Sequence, residues 1–121
     1  MEENKINTEN ISSQMRKGIL EYCILSILNQ EDAYSSDIIT ILKNAKIIVV
    51  EGTLYPLLTR LKNQGYLAYR WEESKQGPPR KYYTITEQGK LLLKELESAW
   101  NELIEGVTSL KNKTNNKNSN S

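Results

Sequence analysis

Three observations predict a mainly α fold that carries a small β wing. Leu54, Leu57, Leu58 and Leu61 recur at helical spacing within residues 51–61. Two loosely alternating, strand-like segments, 66–71 and 81–85, flank a Gly77-Pro78-Pro79-Arg80 tip that neither strand can continue through. Apolar residues at 93, 96, 100, 103, 107 and 110 then repeat at intervals of 3-4-3-4-3, the a/d spacing of a coiled-coil seam.

The elements follow in order. Residues 1–11 are polar and are expected to form a flexible N-terminus. A first helix is expected over 13–29, with Leu20, Cys23, Ile24, Ile27 and Leu28 on a broad apolar face. Residues 30–34 read as a turn. Ser35 is the expected N-cap of a second helix, with Asp37 in its first turn, where the helix dipole favours an anion. That helix runs to about residue 43 and buries Ile38, Ile39, Ile41 and Leu42. Residues 47–50 are short and β-branched, so they form either an extended connection or a small first strand.

A third helix follows over 51–64, and Gly65 ends it. Pro56 would remove a hydrogen bond from a helix interior, so either it shapes the entry of this helix or the true start lies nearer Leu54. After the hairpin, Thr86 caps a final helix over 87–110, about 36 Å long at roughly 1.5 Å per residue. Such a helix outreaches the domain it leaves, so its seam of Leu93, Leu96, Trp100, Leu103, Val107 and Leu110 needs a partner. The simplest partner is a second copy, which makes the chain a homodimer. Residues 111–121 hold only Lys, Asn, Ser and Thr and read as a disordered tail. Together these elements describe a winged helix-turn-helix over 12–86 followed by a C-terminal dimerisation helix over 87–110.

Composition narrows the function. The 121 residues make one domain with a modest core, and Phe is absent, so Leu, Ile and Tyr must build the interior. The net charge of +1 is near neutral, but its distribution is not. Between residues 57 and 83, six basic residues stand against two acidic ones; between 91 and 105, one lysine stands against four glutamates. Basic charge is therefore concentrated on the hairpin and the helix before it, the footprint expected of a duplex-binding surface. The lone Cys23 excludes an intrachain disulfide and reads as a small hydrophobe, consistent with a reducing cytoplasm. No run approaches the roughly 20 apolar residues of a membrane span, and the N-terminus lacks the apolar core of a signal peptide. A cytoplasmic protein that engages no membrane is expected.

Residue types on the leucine-free face of the third helix suit DNA. Thr53, Tyr55, Arg60, Lys62 and Asn63 offer groups that reach phosphates and base edges in a major groove. Tyr55 could instead pack on the neighbouring helix, and Arg60 and Lys62 could form only a solvated face. Arg80 and Lys81 sit beside a turn, where each phosphate neutralised strengthens binding by counterion release. Tyr82 and Tyr83 point to opposite faces of their strand, one inward and one outward. Trp71 reads as wing packing.

These residues resemble one family, the PadR-type bacterial transcriptional regulators. The resemblance rests on Glu51-Gly52-Thr53-Leu54-Tyr55-Pro56-Leu57-Leu58 through Leu61 and Gly65, on Gly77-Pro78-Pro79-Arg80-Lys81-Tyr82-Tyr83, and on Thr86-Glu87-Gln88-Gly89. It covers residues 13 to 110, and the single terminal helix is similar to that of the short subgroup. The resemblance implies a homodimeric repressor of double-stranded operator DNA, released by a small molecule or another signal. It places Thr53, Tyr55 and Pro56 at the DNA-facing start of the recognition helix, and Arg80 and Lys81 on the backbone at the wing. The expected DNA-facing set also includes Ser35, Ser36, Arg60 and Lys62. The resemblance also implies that Trp100 matches a tryptophan that, in a drug-binding member of that subgroup, stacks a flat aromatic effector against its twofold mate, although Glu97, one turn earlier, stands where that member is aromatic. Met15, Gly18, Tyr22 and Ser26 share a face of the first helix and would line the same cavity.

Other classes fit less well. The chain has no histidine, no cysteine beside a base, no Gly-rich phosphate loop and no metal-ligand spacing, so neither an enzyme nor a cofactor is expected. The alternative is a winged helix that binds protein rather than DNA, since fold alone does not set function.

Overall fold

The structure, a computed structural model, describes residues 7–119, and side chains as far as residue 113. Helices α1 (Thr8–Lys17) and α2 (Leu20–Gln30) lead into β1 (Ala33–Tyr34) and α3 (Ser35–Asn44). Next come α4 (Glu51–Asn63), the hairpin of β2 (Leu67–Glu72) and β3 (Arg80–Ile85), and α5 (Glu87–Ser119). The strands form one antiparallel sheet in the order β1-β3-β2.

The expected single helix over 13–29 is two helices. Gly18, a poor helix former, ends α1, and the Ile19 amide turns back to the Arg16 carbonyl at 3.0 Å. The chain begins helix earlier than expected, because Asn7 Oδ1 accepts the Asn10 amide at 2.9 Å and caps α1 at its start. Residues 7–11 thus form the cap and first turn of α1, while 1–6 lie outside the described residues.

The small first strand is not at 47–50 but at 33–34, inside the expected turn. Ala33 and Tyr34 pair with Tyr83 and Tyr82, occupying the edge of β3 that a strand at 47–50 would need. Residues 47–50 remain an extended connection, with Val49 buried and Ile48 and Val50 exposed. Ser35 is the first residue of α3 rather than its cap. Tyr34 holds the cap position, and Asp37 Oδ2 accepts the Tyr34 amide at 3.1 Å.

Helix α4 starts at Glu51, where the Thr53 and Leu54 amides both bond the Val50 carbonyl, and Pro56 lies inside it. The acceptor deprived by proline is the carbonyl of Gly52, which is solvent-exposed and open to water. Gly65, at φ +89°, ends the helix. Its amide bonds the Lys62 carbonyl and the Tyr66 amide bonds that of Leu61, a Schellman closure that only glycine enters without strain.

One core joins the elements. Leu20, Ile24, Leu25 and Leu28 of α2 meet Ile38 and Leu42 of α3, the α4 residues Leu54, Leu58 and Leu61, and Leu67, Tyr83 and Leu93. Tyr83 is therefore the inward member of its pair. Burial, and then Tyr55 and Tyr69 beside it, push its phenol above the ordinary range. Ile41, expected inside, is exposed.

Cys23 packs against this core, and burial pushes its thiol up. Native protein is expected to react with a maleimide at least about tenfold more slowly than the urea-unfolded chain. Equal rates would show an accessible, reactive thiol instead.

Thr86 welds α5 to the rest. Its hydroxyl donates to the Gly65 carbonyl at 2.7 Å and accepts the Gly89 amide at 3.0 Å, and its own amide bonds the Tyr66 carbonyl. The helix continues to Ser119, past Leu110, where the sequence suggested a disordered tail. Its seam divides in two. Leu93 and Leu96 are taken up by the chain's own core, because α5 first lies along α2 before leaving the domain. Leu103 and Val107, further along, are exposed by 61% and 54%, an apolar patch of the kind that marks an interaction surface.

Candidate nucleic-acid interface

The buried leucines set the direction in which α4 faces outward. With Leu54, Leu58 and Leu61 inward, the residues four, seven and eleven beyond Gly52 fall on the opposite side. Gly52, Pro56, Thr59 and Asn63 are accordingly all exposed. This stripe is flat and small, which suits close approach to a broad surface. Sequence reading picked out Pro56 and Asn63 but missed Gly52 and Thr59; taking the complement of the leucine stripe would have found both.

Thr53 and Tyr55 lie about 200° apart around the helix axis and so face opposite flanks. On the Tyr55 flank, the start of α3, α4 and the hairpin enclose an open groove of about 420 Å³. Ser35, Ser36, Tyr55, Arg80 and Lys81, all expected at the site, line it together with Tyr34, Thr59 and Trp71. Tyr55 Oη lies 3.2 Å from Ser35 Oγ, tying α4 to the first residue of α3. The Arg80 guanidinium stacks 3.8 Å over the Tyr34 ring and reaches Ser36 Oγ at 3.4 Å. Lys81 Nζ stands 4.6 Å from the Tyr69 ring and 5.6 Å from that of Trp71. Aromatic faces thus hold both cations in place without neutralising them.

That distinction separates the basic residues. Among the described residues, Arg70 is paired with Glu72 and Asp32, and Lys90 with Glu87. The Glu72 hydrogen bond chiefly, reinforced by Asp32, holds the Arg70 guanidinium above its already high range. Arg60, expected to face DNA, is turned to α2, where its Nε and Nη2 donate to the Glu21 carboxylate. Lys62 extends toward the Tyr69 ring at 5.7 Å rather than lying beside Thr53. Arg80 and Lys81 have no carboxylate partner among the described residues, and Glu51 is the single carboxylate lining their groove.

The set expected around Trp100 is only partly assembled. Tyr22 and Trp100 meet at 6.2 Å between ring centroids, joining α2 to α5. Met15 and Gly18 do not share a helical face with Tyr22 and Ser26, because the helix breaks between them at Gly18. Trp71, 61% exposed, packs edge-on against Tyr69 as part of the wing. Among the described residues no group of His, Cys, Asp or Glu could hold a metal ion, and no helix is long and apolar enough to cross a membrane.

A helix laid open beside a hairpin with two cations that have no carboxylate partner among the described residues makes this a winged helix-turn-helix. The chain belongs to the PadR-like family of transcriptional regulators, whose model matches residues 24–95. It is 62% identical to a solved PadR-like transcription factor from Bacteroides fragilis, over 84% of this chain and 98% of that one, with a TM-score of 0.71. A PadR family regulator from Eggerthella lenta is 37% identical over 85% of this chain and 90% of its own, with a TM-score of 0.78. An uncharacterised protein from Lysinibacillus sphaericus is 32% identical over 98 residues, 78% of this chain and 90% of that protein.

Proposed function

We propose that the protein is a cytoplasmic homodimeric repressor that binds a dyad operator. The outward stripe of α4 enters the major groove, and Ser35, Ser36, Tyr55, Arg80 and Lys81 grip the adjoining backbone. The observation that carries this reading is the groove in which two cations are braced by rings yet have no carboxylate partner among the described residues. The exposed half of the α5 seam supports a second copy as the partner. Half-sites would then lie about 34–36 Å apart, or a multiple of that. A small aromatic ligand at Trp100 would release the operator only by preferring one dimer geometry over another; the Tyr22–Trp100 contact supports that location.

Selection from a pool of random duplexes tests the reading. The wild-type protein is expected to enrich a palindromic sequence and to bind it with an affinity that falls steeply with salt. A pool that stays random, with equal weak binding to every duplex, would favour a protein-binding winged helix instead.

A further inference from the structure

We propose that α1 carries a second phosphate-binding groove, on the flank of α4 opposite the wing. This rests on the DNA-binding reading above and extends it to residues with no role so far. The groove, about 450 Å³ and open, lies between α1, the 47–50 connection and the start of α4. Asn10, Ser13, Arg16 and Lys17 form its α1 wall, and Thr53 forms its α4 wall.

Three observations support a polyanion as occupant. Thr53 is shared with the exposed start of α4, so whatever lies along the outward stripe of that helix passes the mouth of this groove. Arg16 and Lys17 have no carboxylate partner among the described residues, unlike Arg60 and Arg70. Asn10 and Ser13 add neutral hydrogen-bonding groups, and Glu9 is the one carboxylate among the described residues that line the groove. Helix geometry separates this wall from the apolar side of α1, since Ile11 and Met15 point away from it and are themselves exposed. The helix thus presents a polar, cationic side towards α4 and an apolar side elsewhere. With the wing groove on one flank of α4 and this one on the other, the duplex backbone is held on both sides of the inserted helix.

Arg16 and Lys17 also lie in the last turn of α1, where bases favour the helix dipole; a purely structural role would show as lower stability alone. The test is the double variant Arg16→Gln/Lys17→Gln on the wild-type-selected duplex, by anisotropy across a salt series, beside thermal melts and sedimentation. The expected result is about tenfold weaker binding and a log K against log[salt] slope smaller by about 2, at roughly 0.9 for each phosphate no longer neutralised. Base preference should stay unchanged, since phosphate contacts carry no sequence information, and Arg16→Lys should retain the salt slope of the wild type. An unchanged slope in the double variant overturns the proposal, whether accompanied by a lower melting temperature, which assigns the pair to the α1 terminus, or by altered sedimentation, which assigns the groove to a protein partner. Failure of the wild-type protein to select any duplex removes the DNA reading itself, and this proposal with it. Loss of binding on Arg80→Gln/Lys81→Gln with none on the α1 variant removes this proposal alone.

Discussion

Alanine at Gly89 is expected to destabilise the protein by about 3 kcal/mol, at the upper end of overpacking costs, and to lower its melting temperature by roughly 10 °C. A Cβ there would lie 2.2 Å from the Tyr66 carbonyl oxygen and 2.7 Å from Ile85 Cγ1. Neither can yield cheaply. The Tyr66 carbonyl is fixed by the Thr86 amide, and Ile85 is the last residue of β3 and packs against the core. Relief requires α5 to lift off the base of the hairpin, which breaks the Thr86 hydrogen bonds as well. Gly106 supplies the control, because nothing lies within 4 Å of its added Cβ on an exposed stretch of the same helix. Gly106→Ala should stabilise by about 0.5–1 kcal/mol through helix propensity alone. Calorimetric melts of the two variants check both signs, and a Gly89→Ala melt matching wild type would mean that the junction is looser than its geometry implies.

The Arg80→Gln/Lys81→Gln variant is expected to bind the selected duplex about 100-fold more weakly, on the basis of two charge-assisted hydrogen bonds worth about 1.5 kcal/mol each. The salt slope should fall by about 2. Both side chains are exposed or half-exposed and contribute to the fold only ring contacts and one long hydrogen bond from Arg80 to Ser36 Oγ, so the melting temperature should fall little. Arg80→Lys separates charge from shape. It keeps the counterion term but loses the planar stack on Tyr34, so the slope should persist while affinity drops part of the way. Anisotropy at several salt concentrations distinguishes the outcomes, and undiminished binding by the double variant would remove the wing from the interface.

Much of this architecture was legible because it is periodic. The leucines of α4 and the alternation of the two hairpin strands repeat often enough for a period to be read. The Gly65 closure and the Thr86 cap are local chemistry, complete within a few residues. What escaped was non-local or too short. Strand β1 is two residues long, so it has no period, and its existence depends on Tyr82 and Tyr83 far along the chain. The β-branched residues 47–50 have every local preference for strand but no free edge to join. Arg60 looks like a DNA-facing cation from its helix position, yet its carboxylate partner, Glu21, lies 39 positions earlier and is visible only once α2 and α4 pack. Leu93 fits the outer seam by spacing, but the first turns of α5 lie against α2 before the helix leaves the domain.

The Thr86 junction has a mechanical corollary. Helix α5 has 33 residues and so is about 50 Å long at roughly 1.5 Å per residue. It is a lever whose short arm, from Thr86 to Trp100, is fastened to the hairpin and to α2. A rotation of about 3° where α5 leaves α2, near Trp100, carries the far end of the remaining stretch through roughly 1.5 Å at about 1.5 Å per residue. Conversely, a partner that seizes the distal half of the rod fixes the angle of the hairpin to within a few degrees, and does so without touching it.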